Sequence, residues 1–128
     1  MPDKKTKLAV VEDEQALQHA VIQVLNKEKY KTFSAMDGEN GIALARKELP
    51  DLILLDLVIP KKDGFTVLAE LKDDKKTAHI PIIVLTNLEG SADVERALTL
   101  GATTYLVKTN YKLEEVAEKI KNILNPMP

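Results

Sequence analysis

The sequence predicts one α/β domain built on a parallel sheet with helices on both faces. Three observations lead there. The chain has 128 residues, the size of one domain of roughly 100 to 150 residues. Its composition, 45% hydrophobic and 30% charged, supplies apolar material for one core and excludes disordered, collagenous and repeat chains. Short apolar or β-branched runs alternate five times with longer segments at helical spacing, and strict alternation of strand and helix implies parallel strands joined by right-handed crossovers.

The first strand is read at Leu8 to Val11, an apolar run suited to burial on both faces. Leu17, Val21, Val24 and Leu25 follow at helical steps and set the core direction of the first helix. That direction leaves Ile22 on the helix flank beside Gln15 and Gln18, where it is either the edge of the core or a partner contact. Thr32 to Ala35 reads as the second strand, and Asp37 as the N-cap of a helix carrying Ile42, Leu44 and Ala45. Leu52 to Leu55 is the third strand; Asp63 caps a helix with Phe65, Leu68 and Leu71. Ile80 to Leu85 is the fourth strand, followed by Ser91 as the expected cap of a helix with Val94, Ala97 and Leu98. Gly101 suits the left-handed position just past that helix, and Thr103 to Val107 forms the fifth strand. Leu113, Val116, Ala117, Ile120, Ile123 and Leu124 make the clearest helical stripe. That helix has no clear cap near Lys112, although Glu114 and Glu115 suit the positive end of its dipole.

Charge and residue usage narrow the function classes. Eighteen Lys and Arg against 20 Asp and Glu give a net charge of -2, so no positive excess draws the chain to a nucleic acid backbone or an anionic membrane. Without cysteine there is no disulfide and no thiolate for zinc, iron-sulfur or redox chemistry. His19 and His79 have no metal-ligand spacing and read as an exposed helix residue and a loop residue. The N-terminal MPDKKTK is not followed by a signal-type apolar segment, and no run approaches a membrane span. The expected address is the cytoplasm.

In a sheet of this kind, function collects outside the carboxyl ends of the strands. Glu12-Asp13-Glu14 follows the first strand, Asp56 the third, Thr86-Asn87 the fourth and Lys108 the fifth. If the first and third strands are neighbours, Glu12, Asp13 and Asp56 converge. Two like charges about 5 Å apart repel by roughly 3 kcal/mol at an effective dielectric near 20, so a cation belongs between them. Carboxylate oxygens without His or Cys favour magnesium, and Lys108 supplies further positive charge. A carboxylate beside a divalent ion, an ammonium and a hydroxyl is a reasonable phosphoryl acceptor, with Asp56 as nucleophile. Taken singly, each residue has a plainer reading. Asp56 could end a strand in a turn, Glu12 and Asp13 could serve the helix dipole, Thr86 could be a strand former, and Lys108 could be a solvated lysine. Four matched strand ends favour the chemical reading, whereas Asp63-Gly64 is read only as a helix cap.

From "LAVVEDE" through "LILLDLVIPKKDG" and "IIVLTN" to "GATTYLVK", nearly the whole chain resembles a receiver domain of two-component response regulators, of the stand-alone, chemotaxis-regulator type. The resemblance implies a flavodoxin-like (βα)5 fold with strand order 2-1-3-4-5. It maps the phosphoacceptor to Asp56, the direct magnesium carboxylate to Asp13, the water-linked acid to Glu12 and a backbone carbonyl ligand to Val58. It maps Thr86 and Lys108 to the residues that hold the phosphoryl oxygens, and Thr86 with Tyr105 to the switch. Tyr105 also has the plainer reading of a packed aromatic. The implied donor is a phosphohistidine of a sensor histidine kinase or phosphotransfer protein, engaged through the first helix. The implied output is a changed affinity for a downstream protein on the face of the fourth helix, fifth strand and fifth helix, from a monomer or a phosphorylation-dependent dimer. Such a chain is a regulator rather than an enzyme, catalysing at most its own phosphorylation and dephosphorylation. Residues 1–128 are expected to be one receiver domain without an output domain.

Three positions depart from the family pattern. Thr109 stands where proline usually follows the final lysine, often after a cis bond; before a non-proline that bond costs about 2.5 to 4 kcal/mol, which leaves cis or trans open. Asn87 replaces a commonly small residue and would narrow access to Asp56, and Ile59 replaces a frequent methionine. Val58 and Leu88, at positions flanking the phosphoryl group in such receivers, are apolar and cannot orient an attacking water, so slow self-dephosphorylation is expected. One rival is a degenerate receiver acting as a phosphorylation-independent interaction module, suggested by Thr109 and Asn87. A flavin or dinucleotide binder would need a glycine- or hydroxyl-rich loop where "VVEDEQAL" places acids. A phosphatase of the haloacid dehalogenase type would need its nucleophile on the first strand.

Overall fold

A computed structural model describes residues 5–125. Strands β1 (Lys7–Val11), β2 (Lys31–Ala35), β3 (Leu52–Leu55), β4 (Ile82–Thr86) and β5 (Thr104–Val107) alternate with helices α1 (Gln15–Lys27), α2 (Gly38–Glu48), α3 (Gly64–Asp73), α4 (Ser91–Thr99) and α5 (Leu113–Leu124). All strand pairs are parallel, in the order β2-β1-β3-β4-β5, as expected for the flavodoxin-like (βα)5 arrangement.

Alternation along each strand divides the core in two. Leu8 and Val10 of β1 face one cluster, with Val21 and Leu25 of α1 and Val116 and Ile120 of α5. Ala9 and Val11 face the other, with Ile42 of α2, Phe65 and Leu68 of α3 and Ala97 of α4. The molecule is therefore a three-layer sandwich with α1 and α5 on one face and α2, α3 and α4 on the other. None of the described helices is long and apolar enough to cross a membrane.

The local signals behave unevenly. Asp37 and Asp63 are N-caps, accepting from the Asn40 and Thr66 amides at 2.8 and 2.9 Å. The Asp37 carboxyl is held below its ordinary range, first by the Asn40 amide. Ser91 is not a cap: Gly90 occupies that position and its carbonyl accepts the Asp93 and Val94 amides, which makes Ser91 the first helical residue. Gly101 follows α4 with φ +109, and a Cβ there would also press on the Lys72 side chain. β4 starts at Ile82, later than Ile80, because the Ile80 amide closes a turn onto Thr77 and Pro81 has no N–H to offer a ladder. At α5 the Lys112 amide donates to Glu115 Oε1 at 2.9 Å, so a carboxylate in the first turn does the work of the absent cap.

Candidate functional site

Strand register assembles the site. Val11 pairs with Leu55, and the Asp56 amide donates to the Val11 carbonyl at 3.0 Å, so Glu12 and Asp56 leave the sheet side by side. Thr86 pairs with Val107, which puts Lys108 one residue beyond the end of the β4–β5 ladder. The Lys108–Thr109 peptide is trans, and residues 108–110 form one turn of 3₁₀ helix.

Oxygens of Glu12, Asp13 and Asp56 lie within 4.8 Å of one another. At that spacing a pair of carboxylates repels by roughly 3 kcal/mol. Asp56 and Glu12 are buried, at 5% and 4% exposure, while Asp13 is exposed. Lys108 Nζ bridges the buried pair, 2.8 Å from Glu12 Oε1 and 2.9 Å from Asp56 Oδ2, with Glu14 Oε2 at 4.0 Å. Burial pushes the Glu12 carboxyl up, and the nearby Asp56 charge adds to that; bonds from Lys108 and the Glu14 amide oppose it without cancelling it. Burial alone would lower the Lys108 ammonium, but its bonds to Glu12 and Asp56 and their negative charges raise it. Three acids against one lysine leave net negative charge, and their oxygen-only donors suit a hard divalent cation.

The main chain holds the acceptor in place. Val58 N donates to Asp56 Oδ1 at 3.2 Å, and Gly64 N donates to the Leu57 carbonyl at 2.9 Å. A Cβ at Gly64 would collide with the backbone of Asp56 and Leu57, so only glycine lets α3 start this close to the acceptor. Ile59 is buried in the same loop.

Glu12, Asp13, Glu14, Asp56, Val58, Asn87 and Lys108 line one cleft of about 250 Å³. All seven follow from the strand-end reading or its family pattern, and Glu14 approaches Lys108 at 4.0 Å. Asn87 is exposed at the rim and Val58 is 57% exposed. Thr86 is fully buried behind the cleft, with its hydroxyl 3.5 Å from the Leu88 amide. Tyr105 is half-buried and donates its hydroxyl to the Leu88 carbonyl at 2.7 Å. Both therefore meet the segment between β4 and α4 rather than Asp56. Ile22 is half-buried against the α1–α5 core, which matches its core-edge reading. His19 and His79 are exposed and distant from this chemistry in role.

One contributor was not legible as such. Gln18 reads as a polar flank residue of α1, yet it is buried at 5% exposure and its side-chain amide donates to the Glu12 and Ala35 carbonyls. A polar residue one step from the apolar stripe is the only local signal.

Comparison with known proteins follows the same lines. A family model described as response regulator receiver domain matches residues 8–121. Response regulator PleD of Caulobacter vibrioides is 42% identical over 102 residues, 80% of this chain and 22% of that protein. The DNA-binding dual master transcriptional regulator RpaA of Synechocystis is 37% identical over 118 residues, 92% of this chain and 48% of that protein. The chain thus spans half or less of the length of these curated relatives. Among solved structures, the receiver domain of the sensor histidine kinase PA1611 from Pseudomonas aeruginosa, with a magnesium ion in its active-site cleft, superposes with TM-score 0.85 at 26% identity, covering 94% of this chain and 98% of that one.

Proposed function

The chain belongs to the response regulator receiver domain family, and on that premise we propose that it accepts a phosphoryl group on Asp56 from a phosphohistidine of a histidine kinase or phosphotransfer protein, with magnesium bound. The observation that carries this reading is the meeting of Glu12, Asp13 and Asp56 with Lys108 at one sheet edge. A carboxylate oxygen of Asp56 forms the new P–O bond as the P–N bond of the donor breaks, and the imidazole nitrogen leaves with the electron pair. Lys108 stands 2.9 Å from that carboxylate and stabilises negative charge on the transferred group. Asp13, Asp56 and the Val58 carbonyl would hold the ion, with Glu12 acting through water. When bound, the ion supplies charge neutralisation for phosphoryl transfer. Asp56 is an acceptor consumed in the step, so the chain acts as a regulator rather than an enzyme turning over a separate substrate.

The switch runs through Leu88. Thr86 moves toward the phosphoryl oxygens, Tyr105 follows into the space it leaves, and the face of α4, β5 and α5 changes its partner affinity. Support comes from the two contacts to the Leu88 backbone, one from each residue. Modification biases an existing equilibrium; going from 1:99 to 99:1 takes about 5.5 kcal/mol of differential interaction.

The test is incubation with magnesium and acetyl phosphate followed by intact-mass measurement. One phosphoryl adduct is expected, and none when a chelator is present from the start; no adduct at all with magnesium would favour a phosphorylation-independent interaction module. The lifetime of the adduct is a second expectation. Val58 lines the cleft and Leu88 packs against the core beside it, and neither can orient water. A Val58→Asn, Leu88→Glu double variant therefore loses its phosphoryl group faster than the parent. Equal or slower decay in the variant contradicts this.

A further inference from the structure

Gln18 joins the acid-bearing loop to α1 through its main chain and to the ends of β1 and β2 through its side chain. Its main-chain N–H donates to the Glu14 carbonyl at 2.9 Å. Its side-chain Nε2 donates to the Glu12 carbonyl and to the Ala35 carbonyl, each at 3.1 Å. The Ala35 carbonyl also accepts the Glu12 amide at 3.0 Å, so Glu12, Ala35 and the Gln18 amide form a closed ring of hydrogen bonds at the ends of β1 and β2. Both hydrogens of the amide are used, and the side chain is buried. These hydrogen bonds tie the Glu12 backbone to α1 and to the end of β2.

Resting on the metal-dependent reading above, we infer that Gln18 is a positioning residue for the divalent ion: it fixes the backbone from which Glu12 and Asp13 project, and touches neither ion nor phosphoryl group. A neutral NH2 suits this place. Lysine or arginine could also donate to both carbonyls, but would add positive charge beneath acids that must attract a cation, while a carboxylate would oppose both acceptors.

The experiment is titration of the full chain with magnesium alone, followed through the backbone amide signals of Asp13 and Glu14. Gln18→Met keeps the length and loses the donors; its magnesium dissociation constant is expected to rise about tenfold, the scale of losing a group that orients metal ligands. Acetyl phosphate labelling is expected to slow at low magnesium and return to the parent rate at saturation, a split that general destabilisation does not produce. Leu25→Ala, a core change on the same helix away from the acid loop, serves as control and keeps parent affinity. Gln18→Asn, shorter by one methylene, weakens binding in the same direction and serves should the Met variant not fold. Parent-like affinity in both Gln18 variants, or equal weakening in Leu25→Ala, overturns the inference while leaving the Asp56 reading intact. A parent that binds no magnesium overturns both.

Discussion

Asp56→Asn protein incubated with magnesium and acetyl phosphate keeps its starting mass, while the parent gains one phosphoryl group. The amide is neutral and a poor nucleophile. Asp56 is buried at the end of β3 with Val58 N on one oxygen and Lys108 on the other, and Glu12 is held in the same manner by Glu14 N and Lys108 at the end of β1, so the variant also tells these two carboxylates apart. A second readout separates loss of chemistry from loss of fold. In the metal-free parent, Asp56 and Glu12 share one ammonium across a gap that holds two negative charges. Replacing one charge removes a repulsion of roughly 3 kcal/mol before screening and leaves the Glu12–Lys108 pair, so the metal-free unfolding midpoint is not expected to fall. The parent gains about 2.7 kcal/mol of stability from a ligand at one hundred times its dissociation constant, and most of that magnesium-dependent gain disappears in the variant. A variant that still takes up one phosphoryl group would move the acceptor elsewhere.

Lys108→Ala loses on two counts. The Lys108 side chain is 12% exposed and its ammonium lies within 3 Å of two buried carboxylates, so removing it leaves like charges facing each other without compensation. Breaking a buried pair from one side costs about 3 kcal/mol or more, and here added magnesium should restore part of the loss because it supplies the missing charge. Labelling by acetyl phosphate should slow by about a hundred- to a thousandfold, the effect of losing one stabilising donor. The sign of the pH dependence follows from the raised Lys108 value. Its stabilisation is fully present below the ordinary value of 10.5 and is lost as pH rises through the higher folded value. The variant should lack that alkaline step in unfolding measurements, and an unchanged labelling rate would remove Lys108 from the transfer step.

Much of this was legible before any coordinates because its causes are local. A capping aspartate finds its amide three residues on, which is why Asp37 and Asp63 could be read directly. The stripe of Val116 and Ile120 needs only helical periodicity. Ser91 misled because a hydroxyl before a helical run looks like a cap wherever it stands, and the chain instead turned at Gly90. The strand-end acids, hydroxyl and lysine were visible as residues in order, and family resemblance supplied the strand order that periodicity could not.

The sequence by itself determined the alternation of strands and helices, the caps on α2 and α3, and which residue types reach the carboxyl edge. Only the tertiary structure decided that Lys108 meets Asp56 across 52 positions of chain, that Thr86 and Tyr105 converge on Leu88, and that a flank glutamine is enclosed at the ends of β1 and β2. The reason is range. Periodicity and capping act between residues a few positions apart, whereas these distances follow from strand register, and register is set by how the whole core packs.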